Sequence, residues 1–99
     1  MRTLSEGSVL RVLDLDRLSG TNSTHFKELV KAQITDAHRV VEVDFSAVRS
    51  IDSEGLGALI SIYKVLAPRE GRVRLLKPQA MILEFLKLVQ FERIVDVVV

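Results

Sequence analysis

Apolar residues recur along this chain at two different periods, and the alternation of those periods outlines its elements. From Ser8 to Leu15 the run VLRVLDL reads as a strand, and Glu6-Gly7 ahead of it can turn a short N-terminal strand back as a hairpin. Thr21, Asn22 and Ser23 supply three successive candidate N-caps. After them Phe26, Leu29, Val30 and Ile34 fall at helical spacing, with Lys27, Glu28 and Lys31 facing away. Arg39 to Phe45, RVVEVDF, is β-branched and nearly continuously apolar, the pattern of a central strand covered on both faces. A short connection, Ser46 to Ile51, leads to a second helix from Ser53 to about Leu66. It carries Leu56, Leu59, Ile60, Tyr63 and Leu66 on one stripe, with Pro68 and Gly71 as its stop. Arg72 to Leu76 reads as a strand. Pro78 stands where a helix begins, Ile82, Phe85, Leu86 and Val89 mark that third helix's buried face, and the final RIVDVVV reads as a last strand.

Strands separated by whole helices pair in parallel through right-handed crossovers. The order therefore predicts one α/β domain over residues 1–99, with a mixed, mostly parallel sheet of four to five strands and helices packed on it. Partner and ligand sites in such sheets gather where strands run out into the next helix, which draws attention to the turn between Phe45 and Ser53.

Composition narrows the function classes. The chain is 47% hydrophobic and 27% charged, the balance of a globular domain. Fourteen basic and thirteen acidic residues are mixed along its length with no basic block, so nucleic acid is not an expected partner. The N-terminal residues show no apolar stretch of signal-peptide length, and no run is long enough for a membrane helix, so a cytoplasmic location is expected. Cysteine is absent, which removes disulfides, thiolate zinc sites and thiol nucleophiles. His25 with Glu28, or His38 with Asp36, would each lack a third metal ligand nearby, so neither a metal nor another cofactor is expected.

One segment stands out chemically. Asp52-Ser53-Glu54-Gly55-Leu56-Gly57 combines a candidate N-cap hydroxyl, acids near the positive end of a helix dipole, and two glycines that leave the first turn almost bare. Each helix-interior glycine costs roughly 1 kcal/mol against alanine, so something else should approach the backbone there. The alternative is that Ser53 only caps the helix and the glycines relieve crowding against the sheet; spacing alone leaves both readings standing. Enzymatic readings of the same residues fail on their motifs. A nucleophile elbow needs glycine two residues before the serine, where Ile51 stands, and a phosphate-binding loop needs lysine after its last glycine, where Gly57 is followed by Ala58. The expectation is a protein that is not an enzyme.

The stretch VVEVDFSAVRSIDSEGLGALISIYKVL resembles the STAS domain of anti-sigma factor antagonists. That family bears a serine or threonine in an aspartate-Ser/Thr-x-glycine motif opening a helix, here Asp52-Ser53-Glu54-Gly55, with Asp44 at the preceding strand's end. RLSGTNSTHFKELV is similar to the family's approach to its first helix, and RVRLLKPQAMILEFLKLVQF to its next strand and helix. Ser19 replaces the acid usual after the leucine in the first of these. The resemblance implies a STAS-like fold and a switch: unphosphorylated Ser53 lets the domain bind an anti-sigma factor with serine-kinase activity, phosphorylation releases it, and a phosphatase is a further expected partner. Asp52, Ser53, Glu54, Gly55, Leu56, Gly57 and Ser19 would form the partner surface, with Asp52 orienting the hydroxyl or aiding kinase recognition. The alternative is a constitutive STAS subunit of a transporter or sensory complex, for which Met81, Leu83, Leu88 and Phe91 would offer an apolar contact surface.

Overall fold

A computed structural model describes residues 1–99. Its strands are β1 (Arg2–Glu6), β2 (Val9–Leu13), β3 (Val40–Asp44), β4 (Arg72–Leu76) and β5 (Asp96–Val98), and its helices are α1 (Thr21–Gln33), α2 (Ser53–Leu66) and α3 (Ala80–Leu88). They form one five-stranded sheet in the order β1-β2-β3-β4-β5, with β1 antiparallel to β2 and every other pair parallel. The expected mixed, mostly parallel sheet and the N-terminal hairpin are both present, the latter turning on Gly7 with its positive φ.

Each crossover steps one strand further in the same direction, so right-handed connections must place all three helices on one face of the sheet. The core shows that they do. Leu10 and Val12, Val41 and Val43, and Val73 and Leu75 all point to the same side, where they join Phe26 and Val30 of α1, Leu59, Ile62 and Leu66 of α2, and Ile82 and Leu86 of α3 in one buried cluster.

The opposite face is open, contrary to the expectation for Arg39–Phe45. The intervening residues Arg11, Glu42, Arg74 and Asp96 lie in register across β2 to β5. Glu42, only 8% exposed, is held between Arg11 at 3.4 Å and Arg74 at 2.9 Å. Arg72 pairs with Asp96 beside them. Parallel sheets are ordinarily covered on both faces; here the second face carries no helix and presents a ladder of paired charges instead.

Other departures are local. α1 begins on Gly20, whose φ of 55° suits glycine, and none of Thr21, Asn22 or Ser23 caps it by a side-chain bond. Asn22 instead closes the preceding loop, accepting from the Ser19 N–H and donating to the Arg17 carbonyl, both at 2.8 Å. α2 ends as expected, but Glu70 rather than Gly71 takes the left-handed conformation after the short 3₁₀ turn Ala67–Arg69. Pro78 precedes α3 without entering it, because Gln79 is the N-cap. The last strand shrinks to three residues, since Phe91–Arg93 form a 3₁₀ turn and the Ile94 and Val95 N–H groups bond back to the Phe91 carbonyl. No helix is long and apolar enough to cross a membrane.

Candidate functional site

Two loops meet at the C-terminal edge of the sheet. One joins β2 to α1 and the other β3 to α2. Their backbones are zipped together by Arg49 N–H to Asp16 C=O at 3.0 Å and Leu18 N–H to Ser50 C=O at 2.9 Å, with Leu18 and Ile51 forming an isolated parallel bridge. The Ser19 and Ser50 hydroxyls lie 3.3 Å apart. The structure thus brings Ser19 against Ser50, in the loop that leads to Ser53.

Asp52 is the centre of this arrangement, and the capping role considered for Ser53 falls to it. It, and not Ser53, is the N-cap of α2: its Oδ1 accepts from the Gly55 N–H at 3.0 Å. Its Oδ2 accepts from the N–H of Gly20, the N-cap of α1, also at 3.0 Å. One carboxylate therefore ties together the starts of two helices, where both dipoles favour negative charge. The Gly55 and Gly20 N–H groups, in that order, hold the Asp52 carboxyl below its ordinary pKa.

With the cap assigned to Asp52, Ser53 occupies the first position of α2 and is exposed, with Glu54, also exposed, beside it. Ser53 is consequently a surface hydroxyl at the positive end of a helix with no capping duty. Leu56 behind it is partly buried and packs against the core.

The two glycines of the first turn have separate explanations. Gly55 is buried, and a Cβ there would lie 2.0 Å from the Leu18 carbonyl oxygen. It allows α2 to pack directly on the neighbouring loop, so of the two readings left open by the spacing, relief of crowding applies to Gly55, against the Leu18 backbone. Gly57 is exposed, and a Cβ there would meet nothing within 4 Å.

Gly57 borders a shallow groove of about 320 Å³ between α1 and α2, which sequence reasoning did not find. Its walls are Ser23, Thr24 and Lys27 on one side and Glu54, Gly57, Ala58 and Ser61 on the other. The i, i+3, i+4 and i+7 spacing of small and polar residues from Glu54 to Ser61 was the available signal.

The remaining candidates are dispersed. His25 is exposed on α1, whereas His38 is buried, its Nδ1 accepting from the Thr35 N–H at 3.0 Å and its Nε2 lying 2.8 Å from Ser5 Oγ. Of the apolar residues beyond the core stripe of α3, Met81 and Leu88 are 82% and 80% exposed, but Leu83 is half-buried and Phe91 belongs to the core. Gln79, at the start of α3, donates to the Ser46 carbonyl at 3.0 Å and so ties α3 to the β3–α2 loop.

Comparison with solved structures places this fold among known ones. TM1081 from Thermotoga maritima, provisionally assigned as an anti-sigma factor antagonist, is 24% identical and superposes with a TM-score of 0.84 over 99% of this chain and 85% of its own. The unphosphorylated form of the anti-sigma factor antagonist SpoIIAA is 16% identical, with a TM-score of 0.77 over 99% of this chain and 87% of its own. The phosphorylated form of the Bacillus cell fate determinant SpoIIAA is 18% identical, with a TM-score of 0.63 over 99% and 90%. These likenesses are of fold. A search among curated proteins finds no match by sequence. The sequence profile of the STAS domain matches residues 10–98, which takes in β2 from Leu10 onward, β3 to β5, all three helices and the Asp52-Ser53-Glu54-Gly55 turn, and the chain belongs to the STAS domain family.

Proposed function

We propose that the chain is an anti-sigma factor antagonist, a binding protein and not an enzyme, whose engagement of an anti-sigma factor is controlled by phosphorylation of Ser53. The observation that carries this reading is the division of labour at the start of α2. Asp52 makes the cap bond, which leaves the exposed Ser53 hydroxyl available for modification without unmaking the helix. SpoIIAA, a protein of the same fold, is known in unphosphorylated and phosphorylated forms, which supports the same chemistry here.

In the proposed step the partner's kinase activity transfers a phosphoryl group from a nucleoside triphosphate to Ser53 Oγ. The hydroxyl gives up its proton and the nucleoside diphosphate leaves. The new group sits at a helix N-terminus, where the dipole stabilises it by about 0.3–1 kcal/mol, so the domain stays folded. Its effect falls on the interface. It adds a charge of about −1.5 to −2 beside Asp52 and Glu54. An acidic partner group about 5 Å away is then repelled by roughly 3 kcal/mol per charge pair at an effective dielectric of about 20, or about a hundredfold in affinity. A phosphatase would reset the switch.

The test uses wild type, Ser53→Ala and Ser53→Asp with the cognate anti-sigma kinase. Intact-mass measurement should show one phosphoryl group on wild type and none on Ser53→Ala. Calorimetry should show Ser53→Asp binding about a hundredfold more weakly than wild type. Modification at another residue, or Ser53→Asp binding like wild type, refutes the switch.

A further inference from the structure

The groove between α1 and α2 carries two local costs that the isolated domain has no use for. Ser23 is only 2% exposed, lines the groove, and its Oγ has no hydrogen-bond partner. Buried hydroxyls are almost always paired, because an unpaired one gives up its hydration for nothing. On the facing wall, Gly57 sits inside a helix where alanine would be more favourable, and nothing within 4 Å of its missing Cβ requires glycine. Alanine at either position would suit the free fold better. That both exceptions face the same groove, beginning at Glu54 next to Ser53, points to an occupant.

The groove's charges describe that occupant. Lys27 stands on the α1 wall and Glu54 on the α2 wall, and neither takes part in an ion pair of this molecule. A simple anion or cation would meet a like charge on one side. A polypeptide segment meets both: its own acidic and basic side chains complement Lys27 and Glu54, its main chain passes over the bare Gly57, and it offers a polar group to Ser23 Oγ, which is sealed from water in the free domain and turns outward to meet it. We infer that the groove seats a polar, mixed-charge segment of the same partner that reads Ser53, extending the contact from the phosphorylation site along α1 and α2. This rests on the antagonist reading above and adds to it where, and by what chemistry, the partner is held.

The experiment separates fold from binding. Ser23→Ala, Gly57→Ala, Gly57→Leu, Lys27→Glu and Ser53→Asp are each melted thermally and titrated calorimetrically against the cognate anti-sigma kinase without nucleotide. Ser23→Ala and Gly57→Ala should melt at or above the wild-type temperature. Ser23→Ala should nevertheless bind about fivefold more weakly, the loss of one hydrogen bond, and Gly57→Leu and Lys27→Glu should bind at least about tenfold more weakly. Higher stability with lower affinity is a combination that a purely structural role does not produce. If the groove variants bind like wild type while Ser53→Asp is released, the switch stands and the groove is overturned. If the groove variants lose binding while Ser53→Asp does not, the groove stands and the switch is overturned. If wild type does not bind the kinase, both fall.

Discussion

Gly55 and Gly57 lie two residues apart in one helical turn, and alanine should have opposite effects at them. At Gly57 the added methyl enters open space. The change then shows only the helix-propensity difference, a gain of up to about 1 kcal/mol. At Gly55 the same methyl would lie 2.0 Å from the Leu18 carbonyl oxygen and 3.1 Å from Ile51 Cγ1. Relieving the first contact needs a displacement of about 1 Å between α2 and the Leu18 backbone, well beyond ordinary van der Waals accommodation. Leu18 cannot yield freely, because its N–H is held by the Ser50 carbonyl at 2.9 Å. Overpacking of this kind costs about 1–3 kcal/mol, and contact with backbone places it at the upper end. After the propensity gain is subtracted, Gly55→Ala should be destabilised by roughly 2 kcal/mol. For a domain of this size that lowers Tm by roughly 8–16 °C, while Gly57→Ala should raise it by about 4–8 °C at most. Urea denaturation followed by circular dichroism, with a common m value, gives both numbers. Gly55→Ala as stable as wild type, or Gly57→Ala less stable, would refute the packing argument.

Other consequences of the same geometry can be checked independently. The Asp52 carboxyl is held below its ordinary value of 3.8 by the Gly55 and Gly20 N–H groups, so its contribution to stability is complete at neutral pH and is lost as pH falls through the lowered folded-state value. Asp52→Asn should flatten the acid limb of stability against pH below about 4, as should Asp96→Asn, whose carboxyl the Arg72 side chain holds down in the same direction. Glu42→Ala removes the acid between Arg11 and Arg74; because both arginines reach water, the loss should be about 1–2 kcal/mol in chemical denaturation, between exposed and fully buried pairs. His38→Ala takes the acceptor from the Thr35 N–H and the partner from Ser5. It should cost about 1–3 kcal/mol, and hydrogen exchange should show β1 amides losing protection before those of β3. Ser53→Ala and Ser53→Asp, at an exposed position without a capping bond, should stay within about 0.5 kcal/mol of wild-type stability.

The elements that could be read from local pattern are those whose limits local chemistry sets. α2 runs from Ser53 to Leu66 and β4 from Arg72 to Leu76 as expected, because the aspartate-serine start, the apolar stripe and the Pro68 region are each encoded within a few residues. α1 was harder. Its sequence offers three capping side chains in a row, yet its cap is Gly20, since the start of the helix is held by Asp52 from 32 residues away. RIVDVVV has one unbroken β-like composition, yet the turn at Phe91 takes the Ile94 and Val95 N–H groups and leaves only Asp96–Val98 to pair.

The sequence by itself determined the alternation of strands and helices, the parallel class of the sheet, and the Asp-Ser-x-Gly turn that carries the STAS resemblance. These follow from periodicity and short motifs, which act over one or two turns of chain. Only the tertiary structure decided that the sheet is covered on one face, because that depends on the direction of successive crossovers, while Glu42 sits in an apolar run whose charge partners lie on other strands. The fold likewise decided which residue near Ser53 does what. Asp52 ties two helices, Gly55 admits a neighbouring backbone, and Gly57 opens onto a groove. Their roles diverge although they are neighbours in sequence, because each is set by what the rest of the chain brings against it.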